Sequence, residues 1–372
     1  MQIEQTFSGR LREAVRAVFR HADPVLLGLI AALLTLSTLT VASATSGDYL
    51  AGHLINMSVA LAAMLLLTHV PPQQLIRFAA PLYVLGLVLL VGVAVAGDVV
   101  NGSRRWLNLG VTRIQPSELM RLAVPMAMAA YLHYRQEHLS SRHFALAFLL
   151  LVLPVGLIMR QPDLGTSLLI LASGFFVLFL AGLVWRVMAG LVLLLGAVAP
   201  LAWMYVLHDY QKQRVLTLFD PGSDPLGAGY HIIQSTIAIG SGGLFGKGWG
   251  QGTQARLDFL PEGHTDFVFA VYSEEFGLLG NLVLLGIYAA IVTRGITLSY
   301  SASGLFGRLL CGAITLTFFT YAFVNMGMVS GLLPVVGVPL PLVSYGGTSM
   351  VTVLLGFGIL MSVASNKSLV KS

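Results

Sequence analysis

An acid, Asp266, stands in the stretch LPEGHTDFVFAVYSEEFG, residues 260–277, at the head of a long apolar run. A carboxylate held beside a weakly acidic hydroxyl can take its proton. A carboxylate in the first turn of a helix is also favoured by the helix dipole without doing any chemistry. On position alone Asp266 therefore reads as a helix cap. Two more acids open apolar runs. In QPSELMR, Pro116 suits the first helical position, and Glu118 precedes Arg121 by three residues, a spacing that lets the two pair on one face. That pair is either a salt bridge fixing the helix or part of a binding site. In RQPDLGTS, Asp163 is expected in the first turn of another run, as a helix-terminus acid or a ligand contact. Unpaired charge in hydrocarbon costs at least a few kcal/mol, so each of these groups is a functional candidate.

Other polar residues cluster near the same boundaries. His264 is two residues from Asp266 and reads as a loop residue within reach of a ligand. In GVPLPLVSYGGTS, Pro339 and Pro341 enforce an extended approach to the last apolar run. Gly346 and Gly347 are expected to interrupt that helix, leaving the hydroxyls of Ser344, Thr348 and Ser349 to face a cavity or a tight helix crossing. Lys247 lies in SGGLFGKGWGQGTQ, which is not a Walker loop because Gly248 follows the lysine where Ser or Thr is required. Glu274 and Glu275 lie deeper in the run after Asp266, where packing against Arg or Lys is the expectation.

The elements that position these residues are membrane helices. The 372 residues are 56% hydrophobic and 10% charged, against roughly a quarter charged in soluble domains. Apolar runs of about 20 residues each span a bilayer. They fall at 24–44, 49–69, 76–96, 117–134, 143–160, 165–183, 187–207, 266–293, 309–329 and 341–364. The expected fold is all-α, a polytopic integral membrane protein of about ten transmembrane helices, with a long extracytoplasmic loop at 208–265 before span eight. Residues 24–364 form this single membrane domain, and 365–372 a cytoplasmic tail. Residues 1–23 form a cytoplasmic basic segment in which Leu11, Val15, Val18 and Phe19 share a helical face, the pattern of a helix lying on a membrane surface.

Arg77, Arg135, Arg142, Arg186, Arg294, Arg308 and Lys367 all fall in inner segments when both termini are cytoplasmic. The cations that break this rule, among them Arg104, Arg105, Lys212, Arg214 and Lys247, gather on the outer side with most of the acids. Polar work is therefore expected at the outer face. No segment is large enough to carry a nucleic-acid surface, and the single cysteine, Cys311, can form no internal disulfide.

Five blocks, RRWLNLG, IQPSE, QPDLGTS, GWGQGTQ with LDFLPEGHTDFVFAVYSEEFG, and NMGMVSGLLPVVGVPLPLVSYGGTS, occur in one order over nearly the whole chain. In them the chain resembles the SEDS family of bacterial cell-wall polymerases, and its rod-shape branch more than its division branch. The resemblance implies ten spans in the bacterial cytoplasmic membrane and a peptidoglycan glycosyltransferase that polymerises lipid II at the periplasmic face. It also implies a class B penicillin-binding protein as transpeptidase partner, within the elongation machinery and among membrane lipids.

Asp266 matches the essential aspartate of that family, and Glu118 and Asp163 match its motif acids. Asp266 is then the expected general base, drawing the proton from the acceptor 4-hydroxyl in an inverting displacement. The departing undecaprenyl pyrophosphate would be met by Arg104, Arg105, Arg121 and Lys247. Trp106 would support the sugar or lipid, unless it belongs to an interfacial aromatic belt. Arg121 departs from the lysine common in the family, and a guanidinium binds phosphate with a different geometry. A divalent cation, magnesium or manganese, could assist the pyrophosphate, although no metal-ligand spacing demonstrates one. The competing readings are a flippase or transporter of lipid-linked precursor, a related O-antigen ligase or polymerase, and a scaffold without activity.

Overall fold

A computed structural model describes residues 18–366 except 101–102, 109–112, 162, 206, 208, 225–226 and 258. The N-terminal amphipathic segment up to residue 17 and the tail from residue 367 lie outside the described residues. The membrane bundle begins with α1 (Pro24–Ala44), α2 (Leu50–Leu67) and α3 (Pro72–Ala96). Three short strands follow, β1 (Asp98–Val100), β2 (Ser103–Asn108) and β3 (Arg113–Ile114), paired antiparallel in chain order. Then come α4 (Pro116–Tyr134), α5 (Ser141–Met159), α6 (Leu164–Leu180) and α7 (Trp185–Tyr205). The long connection holds α8 (Asp209–Phe219), α9 (Ala228–Ser241) and the single turn α10 (Thr253–Arg256). The chain ends with α11 (Val268–Tyr300), α12 (Leu305–Val329) and α13 (Gly347–Ser365).

Eight of these helices are long and apolar enough to cross a membrane; α6 is a shorter apolar helix and α4 lies outside that set. The reason for α4 is its composition, with Glu118, Arg121, two prolines, two tyrosines and a histidine. It is also the most enclosed helix. Met120, Val124, Met128 and Leu132 are fully buried one turn apart, and Ala123, Ala127 and Ala130 fill the remaining faces. A helix covered on all sides in this way belongs to the interior of a bundle. It packs on α3, α5, α6 and α12. By contrast, none of the described side chains of α7 is buried.

The long connection is not a loose loop. The apolar stretch YHIIQSTIAIG, residues 230–240, lies within α9, which runs alongside the first half of α11. At its start His231 stacks on Phe267 at 5.2 Å, and one turn on Ser235 Oγ donates to the carbonyl of Val329 at 2.8 Å. Beyond its end, Gly242 lies against the backbone of Ser273 and Glu274, and Gly246 against that of Glu275. The chain then turns through 242–250 and returns, forming a hairpin that reaches the level of Gly277.

At that level α11 is broken. Gly277 has φ 64° and ψ −162°, a conformation reserved for glycine. A break leaves main-chain groups without helical partners, which is costly in an apolar surround. The hairpin supplies them. Leu278 and Leu279 N–H donate to the carbonyls of Gly243 and Leu244 at 2.9 and 3.1 Å, while Lys247 and Gly248 N–H donate to those of Glu274 and Glu275, both at 3.0 Å. The glycines are required because a Cβ at Gly246 or Gly277 would collide with backbone across the contact. Two expected helix starts are also corrected. The final helix begins at Gly347 with Gly346 as its N-cap, so these glycines start α13 rather than interrupt it. Span eight begins at Val268, beyond Asp266.

Candidate active site

Asp266 precedes the N-cap residue Phe267, and no acid lies in the first turn of α11. The expectation that Asp266 caps this helix therefore fails. Its carboxylate points toward the connection between α12 and α13: Oδ2 is close enough to Gly337, φ 71°, that a Cβ there would lie 3.4 Å away. The backbone at Asp266 is held by side chains from other elements. Asn325 Nδ2 of α12 donates to its carbonyl at 2.8 Å, and Ser344 Oγ donates to the carbonyl of Thr265 at 2.6 Å. Desolvation pushes the Asp266 carboxyl up to about 6, with help from the negative charge of Glu262 and against the pull of the Arg214 guanidinium. A carboxylate tuned toward neutral pH is suited to receive a proton in a catalytic step.

Two further acid–base clusters lie around the same connection. Asp163 is the N-cap of α6 rather than a first-turn residue, its Oδ1 accepting from Thr166 N–H at 3.2 Å. Its Oδ2 lies 3.6 Å from Arg105 Nε of β2. Gly165, one step into α6, touches Val336, the neighbour of Gly337, so Asp163 and Asp266 flank the same stretch of chain. Arg105, Asp163, Gln211 and Arg214 line a cleft of about 40 Å³ beside it. In the second cluster Arg121 Nη1 donates to Glu118 Oε2 at 2.5 Å and to Ser349 Oγ at 3.2 Å, and the guanidinium lies 3.8 Å from the Tyr321 ring centroid. Arg121 is 6% exposed. Tyr321 precedes Asn325 by one turn of α12, which sets this cluster about 6 Å deeper than the backbone of Asp266.

The other expected site residues fall elsewhere or are already engaged. Ser344 Oγ also accepts from Leu340 N–H at 2.7 Å, so its hydroxyl is taken up in holding the chain next to Asp266. His264 stacks on Tyr49 at 5.0 Å, and its carbonyl accepts from Tyr345 N–H at 2.8 Å. Lys247 does not reach the site. Its Nζ donates to Glu274 Oε1 at 2.5 Å and to Thr253 Oγ1 at 2.9 Å, neutralising a carboxylate of α11 that the hairpin covers. Glu275 is held by Ser43 Oγ and Gly250 N–H, not by a cation. Trp106 is partly buried in β2, where its backbone pairs with Asp98 beside a register shift that makes Arg105 the extra residue of β2 against β1. Arg104 pairs through its backbone with Val99, and its side chain lies outside the described residues.

Sequence reasoning missed Asn325, Arg214, Glu262 and Tyr321. Asn325 did carry a signal, since a buried amide in a membrane helix needs hydrogen-bond partners. Arg214 was visible only as one of several outer cations.

The sequence profile of the FtsW, RodA and SpoVE cell cycle proteins matches residues 18–369. The chain belongs to this SEDS family. It is 47% identical over 351 residues to the peptidoglycan glycosyltransferase MrdB of Escherichia coli K12, a match covering 94% of this chain and 95% of that protein. A solved chain from a study of a peptidoglycan synthase complex that coordinates polymerization and crosslinking superposes with a TM-score of 0.80. It is 36% identical and covers 92% of this chain and 97% of its own. The rod shape determining protein RodA of Thermus thermophilus gives a TM-score of 0.68 at 33% identity, with 92% and 96% covered.

Proposed function

We propose that this SEDS protein is a peptidoglycan glycosyltransferase of cell elongation that polymerises lipid II at the periplasmic face of the cytoplasmic membrane. The observation that carries the reading is the Asp266 carboxyl, raised to about 6 and set among Gly337, Glu262 and Arg214 at the end of the bundle where the charged clusters gather. Family membership and the likeness to MrdB support the activity. Both termini then lie in the cytoplasm, since α1 begins and α13 ends away from this face.

In the proposed reaction the acceptor 4-hydroxyl attacks the anomeric carbon of the donor sugar, and the bond to undecaprenyl pyrophosphate breaks with inversion. Asp266 takes the hydroxyl proton as the new bond forms. The pyrophosphate carries away the electron pair and is met by positive charge from Arg105 and Arg214, with the Arg121–Glu118 pair deeper in the site. Preorganised cations at a departing anion act where charge develops in the transition state. Among the described residues no three His, Cys, Asp or Glu side chains gather as ligands for a metal.

A class B penicillin-binding protein is the transpeptidase partner in this reading, supported by the likeness to one chain from a study of a synthase complex that coordinates polymerization and crosslinking. A transporter reading would use the broken α11 as a binding site within the membrane. That use is disfavoured because hairpin backbone satisfies the break.

The test is polymerisation of lipid II by the purified full-length protein. Asp266→Asn keeps the shape of the side chain and removes the base, so it is expected to bind lipid II and lose at least about a hundredfold in rate, the usual contribution of such a group. Normal glycan synthesis by that variant refutes the assignment.

A further inference from the structure

The hairpin encloses a second charged group that the proposed chemistry does not use. Glu274 is 0% exposed and lies eight residues beyond Asp266 in the chain, about 12 Å along a helix. Its Oε1 accepts from Lys247 Nζ at 2.5 Å and from both the N–H and the Oγ1 of Thr253 at 2.9 Å; its Oε2 accepts from Gln254 N–H at 3.2 Å. Closing the break in α11 does not require this carboxylate, because main-chain bonds from 243–248 already do so. Nor is stability a sufficient reason for it: exchanging a buried ion pair for apolar groups of similar volume is often neutral or stabilising. What such a network does provide is one fixed register between the surfaces it joins.

Those surfaces are the hairpin and the short helical segment from Val268 to Phe276. The break at Gly277 interrupts the main-chain ladder between this segment and the rest of α11, so the segment meets the longer half through side chains, Tyr272 Oη donating to the carbonyl of Gly280 at 2.9 Å and Ser273 Oγ to Asn281 Oδ1 at 3.0 Å, and through the hairpin. Its lower end is held by the hairpin, which Trp249 Nε1 fixes to α1 by donating to the carbonyl of Leu39 at 2.9 Å, and by α1 directly, where Ser43 donates to Glu275. Its upper end continues directly into Asp266. Asn325 and Ser344 hold that end through main-chain oxygens only. A small rotation or slide at the lower end is therefore carried up the rod to the carboxylate.

We propose that Glu274, locked by Lys247 and Thr253, is a positioning residue that sets the height and rotation of Asp266 from the far end of the helical segment joining them. The proposal rests on Asp266 being the base. Placement matters at this scale because a displacement of about 1 Å at a reacting group can cost about a hundredfold in rate.

Glu274→Gln, Lys247→Met, Lys247→Arg and Asp266→Asn are to be compared as purified full-length proteins, with kcat and KM for lipid II expressed per folded molecule. Glu274→Gln is expected to lower kcat about tenfold or more and to leave KM within twofold. Lys247→Met should lower kcat about threefold or more, and Lys247→Arg, which keeps the charge, should recover most of the loss. A role in folding alone would reduce the yield of folded protein and leave kcat unchanged. Wild-type kcat in folded Glu274→Gln overturns the proposal; where that variant does not fold, wild-type kcat in Lys247→Met overturns it. Asp266→Asn separates the two readings. If it polymerises normally, the base assignment itself fails; if it is inactive while the hairpin variants are normal, only the positioning role fails.

Discussion

The Asn325 side chain reaches from α12 to the main chain of Asp266, its Nδ2 donating there at 2.8 Å and to the carbonyl of Val338 at 2.6 Å. One buried amide thereby ties the aspartate to the connection that carries Gly337, against which the carboxylate rests. Asn325→Ala leaves two carbonyl oxygens short of a donor at a cost of about 1–3 kcal/mol. Lower thermal stability is expected together with a fall in kcat that exceeds any change in KM for lipid II. Unfolding in detergent and steady-state polymerisation measure the two effects. An unchanged kcat per folded molecule would mean that Asn325 serves stability alone.

The raised Asp266 carboxyl predicts a pH dependence whose sign is fixed. A general base works as the carboxylate, so kcat should rise with pH through about 6 and level off above it. The stability effect runs the other way. Because the folded value lies above the ordinary 3.8, the contribution of Asp266 to stability is fully present below that ordinary value and is lost as pH rises through about 6. Asp266→Asn has no such loss, so its melting temperature should exceed that of the unaltered protein at pH 7.5, with the gap closing as pH falls toward 4. Parallel melting curves across that interval would expose a constant gap, which is incompatible with a raised carboxyl.

Arg121 and Arg294 offer a matched comparison of paired arginines at opposite ends of the bundle. Arg121 binds Glu118 and Ser349 near the site, whereas Arg294 binds Asp23, the N-cap of α1. Arg121→Gln should reduce kcat/KM for lipid II at least about tenfold, the scale of one charge-assisted contact to a phosphate. Arg294→Gln should leave kcat within about twofold while lowering the melting temperature, because Asp23 loses its partner. Equal losses of turnover in the two variants would remove the anion-stabilising role from Arg121.

Local sequence carried much of this architecture. Pro116 and Glu118 occupy the first turn of α4 as their types and spacing require, and Asp163 opens α6, although as N-cap. The apolar runs marked the helices because burial in lipid and burial in protein both demand continuous hydrophobic length. Contacts between distant segments were not legible in this way. Lys247 sits among outer cations in the sequence and was assigned to the leaving group, yet its partner Glu274 is 27 residues away and is met only when the hairpin folds back. Likewise, hydropathy runs without interruption across Gly277, and its left-handed φ is imposed by backbone from 243–248.

That imposed conformation gives a direct test of the hairpin. Gly277 has φ 64°, and a Cβ there would collide with the main chain of Leu244, Phe245 and Gly246 in the turn. Gly286 lies nine residues further along the same helix, and a Cβ there meets nothing within 4 Å. Gly277→Ala must therefore move the hairpin off the break, leaving the N–H groups of Leu278 and Leu279 without their carbonyl acceptors, each at about 1–3 kcal/mol. Gly286→Ala should be neutral or slightly stabilising, since alanine favours helix by up to about 1 kcal/mol over glycine. The expected outcome is a large drop in melting temperature and folded yield for the first variant and none for the second. Equal stability in the two would show that α11 can straighten at Gly277 and that the hairpin does not hold it broken.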